Sequence, residues 1–169
     1  TLDILGKTIE ERKEFVLEKN KIKEVLNSFL GKSNQEVPLY SSIRVEGRRL
    51  YDYARKNEKV ILPQREIEIF DIDLLDLQEE TFKFKVKVSK GTYIRSLIRD
   101  IGLKLNIPCT MLNLTRTKQG PYQIEEANTL AEIEKGIYKL IPFYDILQNY
   151  PMIEVDEYIE NKIRNGRVL

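Results

Sequence analysis

Apolar and polar residues alternate most clearly in two adjoining stretches near the middle of the chain. REIEIFDIDLLDL, residues 65–77, has the alternation of a half-buried strand, and TFKFKVKV, residues 81–88, alternates more strictly. The polar turn Gln78–Glu80 separates the two stretches. The pattern therefore predicts an antiparallel hairpin with one apolar face and one lysine-rich face, formed respectively by Phe82, Phe84, Val86 and Val88 and by Lys83, Lys85 and Lys87.

Helical periodicity appears on both sides of this hairpin. Apolar residues at Ile94, Leu97, Ile98, Ile101 and Leu105 predict an amphipathic helix that ends at Asn106 and Pro108. Residues 16–30 predict an earlier helix with Gly31 as its C-terminal cap, followed by a loop, GKSNQEVP. Shorter helices are predicted at 48–56, 129–136, 143–149 and 155–166, and MLNLTRTKQGPYQI is predicted to be a strand with a Gly-Pro turn. The fold class that follows is α+β, with a mixed, largely antiparallel sheet and flanking helices.

Composition narrows the chemistry that the chain can perform. It has 169 residues, of which 41% are hydrophobic, and it contains no apolar run long enough to span a membrane. Cys109 is the single cysteine and histidine is absent, which excludes an intrachain disulfide, a histidine-dependent triad and a histidine-containing zinc site. We therefore expect a cytoplasmic protein without a metal site, in which Cys109 is a buried small hydrophobe. The net charge of +1 neither favours nor opposes a nucleic-acid partner.

The stretch SKGTYIR, residues 89–95, lies where the hairpin meets the long helix. Ser89, Lys90 and Gly91 predict a turn, and Thr92 is expected to cap the helix. Free N–H groups at a helix start favour a negative group, Tyr93 could stack on a base, and Arg95 could pair with a carboxylate or phosphate. From spacing alone, a purely structural turn and an anion-binding or base-binding site both remain open.

Basic residues also cluster in a second region. Arginine and lysine alternate there with tyrosines, as in a surface that contacts phosphates beside stacking platforms: Arg44, Arg48, Arg49, Arg55 and Lys56 with Tyr40, Tyr51 and Tyr53. Core tyrosines beside surface arginines would give the same pattern. The lysines of the hairpin are equally compatible with an ordinary solvent-facing strand.

Several stretches, taken together, resemble the TruB-type tRNA pseudouridine synthases. VPLYSSIRVEGRRLYDYAR is similar to that family's PPMYSAxKxxGxRLYEYAR, and VSKGTYIRSLIRDIGLKL to its SKGTYIRxLxxDIGxxL. LTRTKQGPY resembles LRRTxxGPF, and TLDILGKTIEER resembles TDxxDxxGxxxEE. The three main blocks occur in the family's order, and the similarity covers about residues 1–150.

The resemblance implies an enzyme that isomerises the T-loop uridine of tRNA to pseudouridine after flipping it out of the stack, without metal or cofactor. It implies that Tyr93 packs against the target base and that Arg95 pairs with the catalytic aspartate. It also implies that Leu114 lines the base pocket, and that Lys90, Tyr40, Arg44 and Arg116 contact the tRNA T-arm or support the site. A synthase of this kind is expected to be monomeric and to have no membrane partner.

The chain departs from the family pattern at its N-terminal side. The motif that carries the catalytic aspartate, GxLDPxAxG, does not occur in it, and Asp3 in TLDILGK lacks both the preceding glycine and the following proline. We therefore expect residues 1–150 to be the C-terminal half of the catalytic domain and residues 151–169 to begin a truncated PUA-like RNA-binding domain. The isolated chain is expected to be inactive. A non-catalytic RNA-binding or RNA-chaperone module and a structural domain of an assembly remain alternatives.

Overall fold

The central hairpin consists of β4, Gln64–Leu77, and β5, Phe82–Val88. In this computed structural model, which describes residues 2–147 and 150–167, the two strands are antiparallel and pair from Ile69–Val88 to Leu77–Phe82. The lysines of β5 lie on the exposed face of the hairpin, opposite aspartates of β4, as in the register pair Asp73–Lys85. The predicted hairpin and its two-faced pattern are confirmed.

A third strand completes the sheet. β1, Gly31–Glu36, pairs antiparallel with the first half of β4, from Gly31–Ile69 to Glu36–Gln64, so the strand order is β1-β4-β5. The prediction of a loop over GKSNQEVP was wrong because this strand is held by its backbone bonds to β4. Its polar side chains are typical of an edge strand, and they gave no apolar alternation to detect.

Two helices cover one face of the sheet. α1, Lys19–Asn27, and α3, Ile94–Leu105, bury their apolar stripes against β4. The main core cluster contains Ile22, Val25, Leu26, Ile67, Ile69, Ile72, Leu97 and Ile101. Fully burying one such aliphatic side chain stabilises a fold by about 1.5–3 kcal/mol, so this cluster holds the sheet and the helices together.

The ends of the helices differ in part from the sequence prediction. α1 is shorter than the predicted residues 16–30. It ends at Asn27, with Ser28 as its C-terminal cap, and Val16 and Leu30 are exposed. Gly31 does not cap it; with φ of +91° it is instead the first residue of β1. α3 ends as predicted, at Asn106, which adopts the left-handed conformation that such a C-terminus requires.

A short hairpin and a helix lie between β1 and β4 in sequence. β2, Arg44–Val45, and β3, Arg48–Arg49, form a tight hairpin that leads directly into α2, Leu50–Arg55. α2 buries Leu50, Tyr53 and Ala54, which have the three- and four-residue spacing of one helix face. Pro38 and Val37 in the preceding segment are also buried.

The chain folds as two compact units, Thr1–Thr115 and Arg116–Leu169, and the elements named so far belong to the first. In the second, β6, Lys118–Gln119, and β7, Tyr122–Gln123, form a two-residue hairpin, followed by a 3₁₀ turn at Ile124–Glu126. The helices α4, Leu130–Glu134, α5, Phe143–Ile146, and α6, Glu157–Arg164, follow. Residues 148–149 of the helix predicted at 143–149 lie outside the described residues.

Two sequence predictions about the second unit have different outcomes. The strand predicted over MLNLTRTKQGPYQI is reduced to the two short strands β6 and β7 around the Gly120-Pro121 turn. The domain boundary at residue 150 stays a prediction. Within residues 2–147 and 150–167, no helix combines the length and the apolar character that a membrane span requires.

Candidate active site

The start of α3 is the centre of the candidate site. The turn before it depends on Gly91, whose φ of +90° lies in the left-handed region that favours glycine. A Cβ at Gly91 would also meet the Arg65 guanidinium at 3.4 Å. The sharp turn brings the chain from the end of β5 into α3 and places Tyr93 and Arg95 at its first turn.

The prediction that Thr92 caps α3 was wrong. Its hydroxyl donates to the Ser89 carbonyl at 3.0 Å, inside the turn, and the residue at the N-cap position is Tyr93. The Ser89 hydroxyl in turn accepts the N–H of Glu68 at 2.8 Å, which ties the turn to β4. The hydroxyls of Ser89 and Thr92 therefore stabilise the turn itself. The hydrogen bond to the N–H at the start of α3 comes from another part of the chain.

Gln35 of β1 provides that contact. The side-chain oxygen Oε1 accepts the Tyr93 N–H at 2.8 Å, and Nε2 donates to the Tyr93 carbonyl at 3.1 Å. Gln35 is only 3% exposed, so both bonds form away from water. Sequence reasoning missed this residue because a glutamine in a polar stretch has no distinguishing pattern.

The segment that follows Gln35 makes two further contacts with α3. Arg95 Nη2 donates to the backbone carbonyl of Tyr40 at 3.0 Å, and Arg99 Nη1 donates to Glu36 Oε1 at 2.9 Å. Burial lowers the pKa of Arg99, but its hydrogen bonds and charge pairing with Asp100 and Glu36 outweigh that effect and leave the pKa above its ordinary value. The segment from Gln35 to Tyr40 thus runs along the first turns of α3 and contacts them at three points.

The remaining predicted site residues occupy different surroundings. Lys90 is exposed in the turn before α3, and Leu114 is half-exposed in an irregular stretch after it. Arg44 is exposed on the β2–β3 hairpin, where its Nη1 donates to the Gly47 carbonyl at 3.3 Å. Arg116 begins the second unit and donates to Gln119 Oε1 at 2.7 Å. The contacts above therefore bring together Tyr40, Tyr93 and Arg95.

Part of the basic cluster has structural contacts, and the interpretation of the rest as an RNA-contacting surface stays a prediction. Tyr53 is buried and its hydroxyl donates to the Val45 carbonyl, and Arg48 covers its ring at 4.3 Å while pairing with Glu58 at 2.8 Å. These residues are structural. Arg49 and Arg55, in contrast, are exposed, and their guanidinium carbons lie 5.7 and 5.2 Å from the ring centre of the partly exposed Tyr51. That arrangement suits contact with an anionic, stacking partner.

Asp3 has a local structural contact. Its Oδ1 accepts the Leu5 N–H at 3.0 Å, and its backbone forms an isolated parallel bridge with Met111. Such an Asx turn is a common use of aspartate at a chain reversal. In the described part of the chain, no three His, Cys, Asp or Glu side chains are grouped as metal ligands would be.

Comparison with known proteins identifies the chain's family. Residues 1–94 match the model of the TruB family pseudouridylate synthase, N-terminal domain. The chain belongs to the TruB family of pseudouridylate synthases. It is 41% identical over 179 residues to tRNA pseudouridine synthase B of Oceanobacillus iheyensis, and 39% identical over 170 residues to that of Caldanaerobacter subterraneus. Both alignments cover 100% of this chain and 59% of the relative, so the chain spans about three fifths of these relatives' length.

Solved structures agree with the family assignment. A crystal structure of a Cbf5-Nop10-Gar1 complex matches 82% of this chain with a TM-score of 0.56 at 29% identity, covering 35% of the matched chain. An H/ACA RNP bound to a substrate RNA containing 2′-deoxyuridine matches 83% with a TM-score of 0.53 at 25% identity, covering 34% of the matched chain. The predicted α+β class is thereby confirmed.

Proposed function

We propose that the protein to which these 169 residues belong is a tRNA pseudouridine synthase that isomerises the T-loop uridine, uridine-55, to pseudouridine. The observation that carries the proposal is the arrangement at the start of α3. Tyr93 and Arg95 lie on its first turn, each bonded to the Gln35–Tyr40 segment, in a sequence similar to the family's SKGTYIR motif. The relatives named above, tRNA pseudouridine synthase B, support the same reaction and substrate.

In this proposal Arg95 and Tyr93 have separate roles. The Arg95 guanidinium pairs with the catalytic aspartate, which keeps that carboxylate ionised and oriented for attack. Tyr93 packs against the flipped uracil, and Leu114 lines the same pocket. The motif that carries the aspartate does not occur in this sequence, so the chain by itself is expected to bind RNA without isomerising it.

The proposed RNA contacts are basic and exposed. Lys90, Arg44 and Arg116 are each exposed, and Tyr40, whose backbone carbonyl accepts a hydrogen bond from Arg95, is 41% exposed. Phosphate contacts release counterions, so affinity for a T-arm stem-loop is expected to fall steeply as salt rises. A structural domain of an assembly would show no such salt slope. We further infer that the protein acts in the cytoplasm as a monomer.

The deciding experiment is tritium release from a T-arm stem-loop labelled at C5 of the target uridine, with binding measured in the same samples. The product of the complete reading frame is expected to release tritium, and the 169-residue chain to bind without release. A stem-loop labelled at a stem uridine is the matched control and should release none. Binding without release from both proteins would favour a non-catalytic RNA-binding module. Release by the 169-residue chain would assign catalysis to one of its own carboxylates.

A further inference from the structure

Gln35 is an unusual residue in its strand. Its neighbours Lys32, Ser33 and Asn34 are exposed, as expected for a polar edge strand, whereas Gln35 is 3% exposed. A buried amide costs free energy unless it is hydrogen-bonded. Both polar atoms of this amide bind the backbone of one residue, Tyr93, which lies 58 positions away in sequence.

The position of Tyr93 in α3 gives these two bonds their significance. It is the N-cap residue, and no side chain caps the helix from within. Its N–H is one of the four helix-start donors without an intrahelical partner, and Gln35 accepts it. Its carbonyl accepts the Leu97 N–H at 3.0 Å, so the bond from Gln35 Nε2 is a second bond to the same oxygen.

Two bonds to one backbone unit restrict its rotation as well as its position. The N–H and the carbonyl of Tyr93 flank its φ and ψ torsions, and together these determine where the Cα–Cβ bond points. The ring of Tyr93 therefore leaves the backbone in a direction that Gln35 helps to set. The neighbouring contacts, from the Tyr40 carbonyl to Arg95 and from Glu36 to Arg99, hold the same segment against α3 on the C-terminal side of Tyr93.

We propose that Gln35 is a positioning residue for uridine isomerisation, which acts by orienting Tyr93 against the target base. This inference rests on the proposed function. Gln35 does not contact the RNA; it acts through the Tyr93 backbone. A ring displaced by about 1 Å loses the geometry in which the base is presented to the nucleophile, and a misplacement of that size can cost ~100-fold in rate.

The test compares Gln35→Met with Asn34→Met in the product of the complete reading frame. Methionine has nearly the length of glutamine but cannot make the two bonds, and Asn34 is the exposed preceding residue of the same strand. Gln35→Asn is a second variant, which keeps the amide but is one methylene too short to reach. The readouts are hydrogen exchange of the Tyr93 amide by NMR, and kcat and KM for the T-arm stem-loop.

For Gln35→Met we expect Tyr93 amide exchange to rise about tenfold, the effect of losing one net hydrogen bond. We expect kcat to fall by ~10–100-fold with KM within about twofold, since the RNA contacts lie on other residues. Gln35→Asn should behave similarly, and Asn34→Met should match the wild type. A merely structural glutamine would lower the thermal midpoint without lowering kcat.

Each contrary result has a distinct meaning. Unchanged Tyr93 exchange in both Gln35 variants would overturn the positioning role, whatever the activity. Faster exchange with unchanged kcat would overturn it too, because the bonds would then be structural only. A wild-type protein that isomerises no uridine would instead overturn the proposed function, and the exchange measurement would still report the Gln35–Tyr93 contact.

Discussion

Arg95 donates a hydrogen bond from Nη2 to the backbone carbonyl of Tyr40 at 3.0 Å, across 55 positions of sequence. A guanidinium carries its five N–H donors in one rigid plane, so a bond on one nitrogen sets the direction of the others. Because the acceptor is the backbone carbonyl, this hydrogen bond does not require the tyrosine side chain of residue 40. The contact therefore restricts the orientation of the Arg95 guanidinium.

If Arg95 pairs with the catalytic aspartate as proposed, Arg95→Ala is expected to reduce turnover of the complete protein by about 10²–10³-fold, because removing one partner of a hydrogen-bonded charge pair costs roughly 2–5 kcal/mol. RNA affinity should change by less than about threefold, since the phosphate contacts remain. Arg95→Lys keeps the charge but lacks the planar fork, so it should recover only part of the activity. Single-turnover tritium release and a filter-binding titration give the two quantities. Near-normal turnover by Arg95→Ala would remove Arg95 from the mechanism.

Gly102→Ala tests the packing of the C-terminal part of α3. An added Cβ would lie 2.7 Å from the Ile107 carbonyl oxygen and 2.9 Å from the Cys109 nitrogen, and backbone atoms cannot move aside easily. Overpacking costs roughly 1–3 kcal/mol, while alanine gains about 1 kcal/mol in helix propensity. The net expectation is that the free energy of unfolding falls by up to about 2 kcal/mol in urea titrations. Leu103→Ala, at an exposed neighbour, is the control and should change it by less than about 0.5 kcal/mol. Equal stability of the Gly102 variant and the wild type would show that the 107–109 segment moves away.

The elements that could be predicted are those in which apolar and polar residues recur with the period of a strand or a helix. β4, β5 and α3 each bury one face and expose the other, so periodicity alone gave their type and their approximate ends. α2 was predictable for the same reason, through Leu50, Tyr53 and Ala54. Burial of one face is a property of each segment, and it is therefore visible in the sequence.

The elements that could not be predicted depend on a partner elsewhere in the chain. β1 exists because of its backbone pairing with β4, and Gln35 is buried because the start of α3 covers it. Thr92 was predicted to cap α3, but its hydroxyl donates a hydrogen bond to the Ser89 carbonyl in the turn. The motif resemblance named Tyr93, Arg95 and Tyr40 as site residues, and those roles stay predictions. It gave no indication that Gln35 contacts Tyr93.

The Arg48–Glu58 pair predicts that the Glu58 carboxyl titrates at a lower pH than an ordinary glutamate. The hydrogen bond from Arg48 and the charge of that guanidinium hold the pKa of Glu58 below its ordinary value. A carboxyl with a lowered folded-state pKa contributes stability above its unfolded pKa and loses that contribution as pH falls through the lowered value. Carbon-detected NMR of the Glu58 side chain should therefore show a midpoint below the ordinary glutamate range. Arg48→Gln should raise that midpoint, whereas Arg49→Gln, next to it in β3, should not. A midpoint unmoved by Arg48→Gln would mean that the pair does not form in solution.

The pKa of the Cys109 thiol is shifted in the opposite direction, upward. Cys109 is half-buried and not fully buried as the sequence predicted. This partial burial raises the pKa of its thiol, which donates a hydrogen bond from Sγ to the Ile107 carbonyl at 3.4 Å. A raised folded-state pKa means that the neutral thiol is preferred in the fold, so its contribution to stability is complete below the unfolded pKa and is lost as pH rises through the folded one. Because the thiolate is the reactive form, iodoacetamide should label the folded protein slowly at neutral pH.

The pH dependence of that labelling separates the two causes of slow reaction. Limited access lowers the rate at every pH by the same factor, whereas a raised pKa moves the midpoint of the rate profile upward. We expect the folded profile to rise at higher pH than that of the same protein in urea. Peptide mapping assigns the label to Cys109, the single cysteine of these 169 residues. A folded midpoint below that of the unfolded protein would indicate an activated thiol, and would contradict the structural role given to Cys109.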